Sequence, residues 1–357
     1  FYYAPPSGFL ALCTSNLSAP EIKLPADNFN TVLYTGDGTD GRAITGVGFQ
    51  PDFLWQKDRS AAGNNRLFDA IRLASNRLVS NSTAAESSVA NELQSFDSDG
   101  FTIDDGMNTD TNNFVVWNWL AATTFDPKTD GDIAVASGQS NATAGFSIVK
   151  YTGESGTPTV GHGLGVTPDL IIIKQLTSGY TYEWNVASLQ IGSGAKRLVL
   201  NTNAAQATGS GFDSPYIGSS VFTLSDGTSR TNDGSSDYVA YCFASIEGYS
   251  KVGKYTGNGN ADGAFFYTGF RPEYILMKRI DSTGNWFIED ANRLGYNPRN
   301  YDLLADTDDA EQTDEDRFDF LSNGFKCRNT TASSNASGGT FIYLAFAESP
   351  FKYANAR

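Results

Sequence analysis

Short apolar runs of four to seven residues recur along the whole chain, separated by stretches rich in Gly, Asn, Asp, Ser and Thr. Apolar runs of this length between turn-forming residues are typical of β-strands. "SIVKYTG" (147–153) alternates in part, as expected of a half-buried strand, whereas "DLIIIKQ" (169–175) and "VAYCFA" (239–244) are apolar almost throughout and indicate strands covered on both faces. No long amphipathic stripe of helical period is present. The pattern predicts an all-β fold with short or no helices.

The strand pattern occurs three times, and internal repeats of this kind define the organisation of a chain. In each copy a Tyr-Thr-Gly turn is followed 17 residues later by a proline, at Tyr34 and Pro51, Tyr151 and Pro168, and Tyr255 and Pro272. A strand-like run follows each proline and carries a lysine six residues beyond it, namely Lys57, Lys174 and Lys278. The constant spacing predicts a structural unit that begins with a turn and a strand.

Further landmarks follow in the same order. An aromatic block with a matching aspartate and arginine occurs at 64–72 and 285–293 and, shortened, at 183–188. The segments 78–86, 198–206 and 303–311 resemble one another, and each copy ends on an apolar run at 115–121, 239–245 or 342–348. A unit of about 100 residues is large enough for its own core, so we predict three tandem β-sandwich domains of jelly-roll or concanavalin-like type.

The landmarks also predict the domain boundaries. We expect the tail of an upstream domain and a linker at 1–28, repeat 1 at 29–122, a second linker at 123–145, repeat 2 at 146–247 and repeat 3 at 248–357. The second linker is predicted from its small, polar composition and from Pro127.

Composition excludes several classes of function. The net charge is -15 and no basic block is present, so the chain lacks the surface that nucleic-acid binding requires. No apolar segment is long enough to cross a membrane, and we expect no membrane insertion. The three cysteines, at Cys13, Cys242 and Cys327, form neither a disulfide framework nor a metal motif. Cys242 lies in an apolar run and is predicted to be a buried free thiol.

Few residues are candidates for catalysis. The only histidine, His162, lies in a glycine-rich stretch with no counterpart in the other repeats, and we expect it to be a solvent-exposed loop residue. The adjacent Glu289 and Asp290 would point apart on an extended strand, which is unlike the facing carboxyls of a glycosidase. Asp69 with Arg72, and Asp290 with Arg293, are instead expected to form structural ion pairs. The sequence therefore predicts a protein that is not an enzyme.

Two groups of residues are candidates for binding sites, one for calcium and one for glycans. The acidic run 305–319 contains Asp306, Asp308, Asp309 and Glu311, whose oxygens suit calcium, the one cofactor considered. The default interpretation of this run is a solvated acidic loop, because the spacing does not match an EF-hand, and calcium binding is the alternative. The five tryptophans fall within the repeated landmarks and are expected in the core. Tyrosines in the loops that differ between copies are the glycan-binding candidates: Tyr180, Tyr182, Tyr216, Tyr296 and Tyr301.

Two parts of the chain resemble phage proteins. Residues 1–20, "FYYAPPSGFLALCTSNLSAP", resemble the closing segment of SPRY/concanavalin-like domains in tailed-phage virion proteins. The repeated Tyr-Thr-Gly, proline and lysine landmarks, together with "YVAYCF" (238–243), resemble an uncharacterised β-rich repeat family of marine phage proteins. The resemblance implies a virion structural protein, located on the extracellular particle as a tail fibre, a tail appendage or a capsid fibre. It assigns no catalytic residues.

The expected function follows from these observations together. We expect a non-enzymatic virion protein that presents a surface, contacts other virion proteins, assembles as a homo-oligomer, with a trimer favoured, and binds host-surface polysaccharide through its loops. A carbohydrate-binding adhesin module of a bacterial surface protein is the alternative, and a polysaccharide depolymerase is a third. The genomic neighbours separate the first two, and release of reducing ends from host polysaccharide identifies the third.

Overall fold

The structure is a computed structural model that describes residues 6–7, 13, 16–177, 179, 181–192, 196–208, 217–227 and 230–354. Within these residues the chain is almost entirely β, which confirms the predicted all-β sandwich class. The helical elements that lie wholly within the described residues are the α-helix α1 (Ala332–Asn335) and four short 3-10 helices at Pro25–Asp27, Asp105–Met107, Pro127–Thr129 and Leu189–Ile191. The jelly-roll or concanavalin-like subtype stays a prediction.

Repeat 1 contains two antiparallel sheets. Its strands are β1 (Phe29–Thr35), β2 (Arg42–Thr45), β3 (Phe53–Asp58), β4 (Arg66–Asp69), β5 (Asn76–Val79), β6 (Ser87–Ser88), β7 (Leu93–Asp97), β8 (Gly100–Ile103) and β9 (Asn113–Trp119). The large sheet has the order β1-β9-β3-β4-β5-β6, and the small sheet has the order β2-β8-β7. The first and last strands of the large sheet in sequence, β1 and β9, therefore lie side by side.

Repeat 2 also contains a large and a small antiparallel sheet. Its strands are β10 (Thr123–Phe125), β11 (Ala136–Asn141), β12 (Phe146–Thr152), β13 (Thr159–Gly161), β14 (Leu170–Gln175), β15 (Asn185–Ser188), β16 (Lys196–Val199), β17 (Ala207–Thr208), β18 (Val221–Thr223) and β19 (Asp237–Phe243). The large sheet has the order β10-β11-β12-β19-β14-β15-β16-β17, and β13 pairs with β18. The prediction of a linker at 123–145 was wrong, because β10 and β11 extend this sheet and small residues suit its edge.

Repeat 3 completes the set. Its strands are β20 (Ser250–Thr256), β21 (Phe265–Tyr267), β22 (Phe270–Arg279), β23 (Trp286–Asp290), β24 (Leu303–Leu304), β25 (Phe318–Leu321), β26 (Gly324–Cys327) and β27 (Thr340–Pro350). The large sheet has the order β20-β27-β22-β23-β24, and the small sheet has the order β21-β26-β25.

Each large sheet is buried on both faces, which explains the continuous apolar runs in the sequence. In β14, Ile171 and Ile173 pack into the core of repeat 2, whereas Leu170 and Ile172 point the other way. The second face of all three large sheets belongs to one central core that contains side chains of every repeat. The described residues thus form four apolar cores: one between the two sheets of each repeat and one shared at the centre.

Aromatic contacts in the central core connect all three pairs of repeats. The ring centroids of Phe53 and Tyr241, from repeats 1 and 2, lie 4.4 Å apart. Phe346 of repeat 3 lies 6.2 Å from Phe243 of repeat 2 and 4.8 Å from Phe29 of repeat 1. All five tryptophans are at most 3 % exposed, which confirms their predicted core position. A cavity of about 10 Å³ between these side chains is too small for a ligand.

The repeats are also joined by three equivalent junctions. The segments 79–86, 199–206 and 304–311, here called the junction segments, each lie against the next repeat, and the third returns to repeat 1. One backbone N–H in each junction segment donates to a carbonyl of the neighbour: Glu86 to Leu176 at 3.2 Å, Gln206 to Ile280 at 2.9 Å and Glu311 to Arg59 at 3.0 Å. The cycle closes, so the three repeats form a ring within one chain.

The repeated lysines explain part of this arrangement. Each is fully buried, and its Nζ donates to a carbonyl of the neighbour's junction segment: Lys174 to Thr83 at 3.0 Å, Lys278 to Asn203 at 3.0 Å and Lys57 to Asp308 at 3.2 Å. Burial lowers the pKa of each ammonium to about 8. Because a buried ammonium requires such acceptors, the lysines are part of the ring and not of three independent sandwiches.

A second polar contact repeats around the ring. In each repeat a side chain at or directly before the first residue of β4, β15 or β23 donates to the first carbonyl of a junction segment: Trp184 to Val79 at 2.9 Å, Trp286 to Val199 at 2.8 Å and Asn65 to Leu304 at 3.0 Å. The predicted arrangement of three separately folded domains is therefore replaced by three β-sandwiches that share one core and three junctions.

Candidate functional site

The only histidine is buried, so the prediction of a solvent-exposed loop residue was wrong. Leu164 N–H donates to Nδ1 of His162 at 3.3 Å, and Nε2 lies 3.1 Å from the carbonyl of Gly218. We assign the proton to Nε2 on this basis. Burial lowers the pKa of the imidazole, which is consistent with a neutral ring. Gly163, directly after His162, has a φ of 67°, a turn conformation that glycine readily adopts.

The two predicted ion pairs are confirmed and lie at the ring junctions. Arg72 Nε is 2.6 Å from Asp69 Oδ2, and Arg293 Nε is 2.6 Å from Asp290 Oδ2, with all four side chains buried. Each aspartate also accepts a hydrogen bond from another repeat: Tyr241 Oη donates to Asp69 at 2.7 Å, and Trp117 Nε1 donates to Asp290 at 3.0 Å. These carboxylates therefore hold repeats together.

The predicted calcium ligands have separate contacts. Asp306 Oδ1 accepts the backbone N–H of Trp286 at 3.0 Å, as Asn81 does for Asn65 and Asn201 does for Trp184. Glu311 pairs with Arg59 and Arg293, and Asp309 accepts the hydroxyl of Thr307. Asp308 is exposed and offers its carbonyl to Lys57. Within the described residues, no three His, Cys, Asp or Glu side chains are placed to hold one metal ion.

The carboxyl groups of Glu289 and Asp302 lie next to each other inside the core of repeat 3. Arg317 pairs with Asp302, and its guanidinium stacks 3.8 Å from the centroid of the Phe287 ring. Burial, and then the neighbouring Asp302 carboxylate, raise the pKa of Glu289 well above its usual range. Both carboxyls are 1 % exposed, so a substrate in solution does not reach them. Glu289 and the adjacent Asp290 point to opposite faces of β23, as predicted.

The glycan-binding tyrosines predicted from the sequence are dispersed. Tyr180 and Tyr216 lie outside the described residues. Tyr296 is exposed, and Tyr301 is half-buried with the Arg59 guanidinium 5.9 Å from its ring centroid. Tyr182 is half-buried and offers its carbonyl to Lys174 at 2.8 Å. None of these three described tyrosines lines the groove described next.

A surface groove of about 760 Å³ lies beside repeat 3. Its walls come from four parts of the chain: 17–21, 245–251, 267–269 and 350–352. The backbone carbonyl of Leu17 accepts a hydrogen bond from Lys352 Nζ, which ties two of these walls together. A groove of this volume is in the range of sites that bind small molecules or segments of a polymer.

Tyr267 is the most exposed aromatic side chain of the groove, at 55 %. Lys251 Nζ donates to the Tyr267 carbonyl at 2.9 Å and lies 5.5 Å from the centroid of its ring. The charged side chains of the groove are Glu21, Glu247, Lys251 and Lys352, so acidic and basic groups balance. An exposed ring with polar groups of both signs around it is suited to a polar, uncharged ligand.

The sequence does not single out Tyr267 as a binding residue, although the aromatic run that contains it is visible there. The strand containing it reads "FFY" (265–267), but the corresponding positions in the repeats lie at different distances from the Tyr-Thr-Gly turn. Thr45, Gly161 and Tyr267 follow the tyrosine of that turn by 11, 10 and 12 residues. Only the strand pairing aligns them.

The pH dependence of stability should report on the contact between repeats 3 and 1 at Glu273. Its Oε1 accepts the backbone N–H of Thr31 at 3.2 Å, and burial raises its pKa to about 8. Since the folded-state pKa is above the unfolded one, the protonated carboxyl contributes stability that is complete below about pH 4.5 and is lost as the pH rises to about 8.

We therefore expect Glu273→Gln to be close to wild type at pH 5 and more stable than wild type at pH 9, by a few kcal/mol. Urea unfolding midpoints at pH 5, 7 and 9 provide the measurement, with Glu247→Gln in the exposed groove as a control that follows wild type. Parallel pH profiles for wild type and Glu273→Gln would contradict the assigned protonation.

Comparison with known proteins adds the family. In the described part of the chain, no helix has the length and apolar character needed to cross a membrane. No curated protein and no solved structure matches the sequence. The family described as "Domain of unknown function (DUF7483)" matches residues 24–350, a range that contains every strand from β1 to β27. The chain therefore belongs to the DUF7483 family, and the matched range spans all three repeats of the ring.

Proposed function

We propose that this chain is a non-enzymatic structural module of a phage virion, in a tail fibre, a tail appendage or a capsid fibre, that presents a surface to the host and binds glycans there. The observation that carries the proposal is the closed ring of three β-sandwiches around one core. Such a ring is a rigid support that keeps three outward-facing small sheets at fixed positions.

The use of the ionisable side chains supports a structural role. The repeated lysines and the Asp69 and Asp290 ion pairs join one repeat to another. The one histidine, the carboxyl pair of Glu289 and Asp302, and the thiol of Cys242 are buried, as predicted for this thiol. These groups are buried within the repeats, where a substrate in solution does not reach them.

Assembly with other virion proteins is part of the proposal. A homotrimer was favoured from the sequence, and it stays a prediction. The ring already supplies, within one chain, the three-fold arrangement of sandwiches that a trimer supplies with three chains. A partner with three equivalent contacts could therefore bind a single copy of this chain.

Locating the chain in purified particles tests this proposal. We expect mass spectrometry of the particles to detect the protein at a fixed ratio to the capsid protein, and immunogold electron microscopy to place it on an appendage. Detection on bacterial cell envelopes but not on particles would support the adhesin alternative. Release of reducing ends from host polysaccharide by the purified protein would contradict the non-enzymatic assignment.

A further inference from the structure

Two aromatic side chains lie on the outer surface of repeat 3. Phe265 and Tyr267 are 43 % and 55 % exposed and belong to β21, the edge strand of the small sheet. Phe266, between them, points inward and packs against Tyr255 and Phe325 at centroid distances of 4.3 and 5.4 Å. Alternation along a strand puts Phe265 and Tyr267 on the same face.

The other two repeats lack this aromatic pair. Strand pairing aligns the inward residues, because Ile44, Val160 and Phe266 are each opposite a phenylalanine of the neighbouring strand. The equivalent positions are Ala43 and Thr45 in repeat 1, where both are exposed, and Thr159 and Gly161 in repeat 2, where Gly161 is buried against Pro127. Repeat 1 shows that small or polar residues are sufficient for folding where these positions are exposed. The two exposed rings of repeat 3 have another role, since contiguous exposed apolar surface usually marks a binding site.

The neighbouring strand gives the rings a flat support. Gly324 pairs with Tyr267, and Lys326 pairs with Phe265. A Cβ added to Gly324 would lie 2.8 Å from the Phe265 ring, so the ring rests directly on this glycine and its other side faces solvent. Residues two apart on a strand are about 6.8 Å apart. The two rings thus form a short aromatic platform whose Tyr267 end opens into the groove.

We propose that a neutral polysaccharide binds across Phe265 and Tyr267 and continues into the groove. The C–H face of a pyranose ring is apolar and packs on an aromatic ring, while its hydroxyls need hydrogen-bonding partners. The groove offers these partners in Glu21, Glu247, Lys251 and Lys352. Because its charges balance, it gives no preference for an acidic polymer. This inference rests on the glycan-binding part of the proposed function.

A sugar polymer fits this site better than a protein partner does. A stable protein interface covers about 800 Å² on each side and has an apolar centre. Here two rings are bordered by the ion pairs of Lys326 with Asp262 and of Arg328 with Asp319, and the groove beyond combines charged and apolar side chains without a continuous apolar centre. An isolated aromatic platform with polar groups at both ends is suited to a polysaccharide, in which apolar C–H faces and hydroxyl groups alternate.

Native affinity electrophoresis with soluble polysaccharides tests the proposal on the full chain. The probes are three neutral polymers, dextran, mannan and galactan, and the acidic polymer alginate. We expect at least one neutral polymer to retard the wild-type protein, and 0.5 M salt in an equivalent pull-down to leave binding unchanged. The double variant Phe265→Ala/Tyr267→Thr, which introduces the residues of repeat 1, should bind at least about tenfold more weakly.

The controls separate binding from folding. The double variant should keep the wild-type unfolding midpoint, because Ala43 and Thr45 are compatible with the same strand pairing. Leu73→Ala removes an exposed apolar side chain of repeat 1 and should bind as wild type does. Equal binding by the double variant, retardation by alginate alone, or no retardation by any neutral polymer would each overturn the proposal. Location of the protein on particles is a separate measurement, so failure of one does not imply failure of the other.

Discussion

A chain that ends at residue 247, without repeat 3, is expected to be unfolded. Phe29 and Trp119 would lose the rings of Tyr274 and Phe346, which lie 4.8 to 5.8 Å away. The loss of these large buried side chains would expose the central face of both remaining large sheets, and each buried aromatic contributes about 3 kcal/mol or more.

Polar groups add to this loss. Lys57 and Asn65 would lose acceptors on Asp308 and Leu304, and a buried donor without a partner costs about 1–3 kcal/mol. Since a domain is stable by only about 5–15 kcal/mol, the remaining contacts should not compensate. Circular dichroism, amide NMR dispersion and protease resistance of the fragment provide the measurement.

Fragment complementation is the control for this deletion. The chains 1–247 and 248–357, mixed in equal amounts, should recover the spectrum of the intact protein, because the ring junctions are non-covalent. A fragment 1–247 that melts cooperatively by itself, at a midpoint close to that of the full chain, would show that the repeats are independent domains.

Asp290→Ala should destabilise the protein by about 3–5 kcal/mol. The buried guanidinium of Arg293 would lose the Asp290 carboxylate, and Trp117 Nε1 would lose its hydrogen-bond acceptor. Asp69→Ala should cost a similar amount for the same reason, through Arg72 and Tyr241. Denaturant unfolding of the two variants and wild type at pH 7 measures both effects.

The third junction supplies the matched control. The position equivalent to Asp69 and Asp290 is Ser188 in repeat 2, and the position equivalent to the donors Trp117 and Tyr241 is Leu344 in repeat 3. At this junction both partners of the hydrogen bond are absent, because Ser188 replaces the acceptor carboxylate and Leu344 replaces the donor side chain. Ser188→Ala removes only the hydrogen bond that the Ser188 hydroxyl accepts from Gln190 N–H, and it should therefore cost about 1 kcal/mol. A loss at Ser188 equal to that at Asp290 would contradict the assigned role of the aspartates.

The sequence predicted the repeating unit well but not how the units are assembled. The 17-residue spacing, the lysines and the Asp–Arg pairs all proved structural, because local spacing and strand pattern are set within a unit. The same spacing is compatible with separate domains and with a ring. Lys57 contacts a carbonyl 251 residues away, and no local pattern reveals such a contact.

The junction segments show most clearly that the sequence predicts a repeated unit but not the contacts between units. "LVSNSTAAE" (78–86) and its copies consist mostly of small and polar residues, and the sequence shows that they repeat but does not indicate what they contact. Their backbone groups, more than their side chains, contact the next repeat. The aromatic platform was missed because insertions of one or two residues shift Phe265 and Tyr267 relative to the other copies. Recognition is therefore proposed where the repeats differ, on a strand instead of the predicted loops.

The central claim is that the three repeats form one ring with a shared core, and the five tryptophans test it directly. Trp55, Trp117 and Trp119 lie in repeat 1, Trp184 in repeat 2 and Trp286 in repeat 3, all of them in the central core. With 5-fluorotryptophan incorporated, fluorine NMR follows each of these side chains during urea unfolding. The ring predicts that all five native resonances disappear at one common midpoint. Separate midpoints, with the Trp184 or Trp286 resonance surviving after those of repeat 1 are lost, would contradict it.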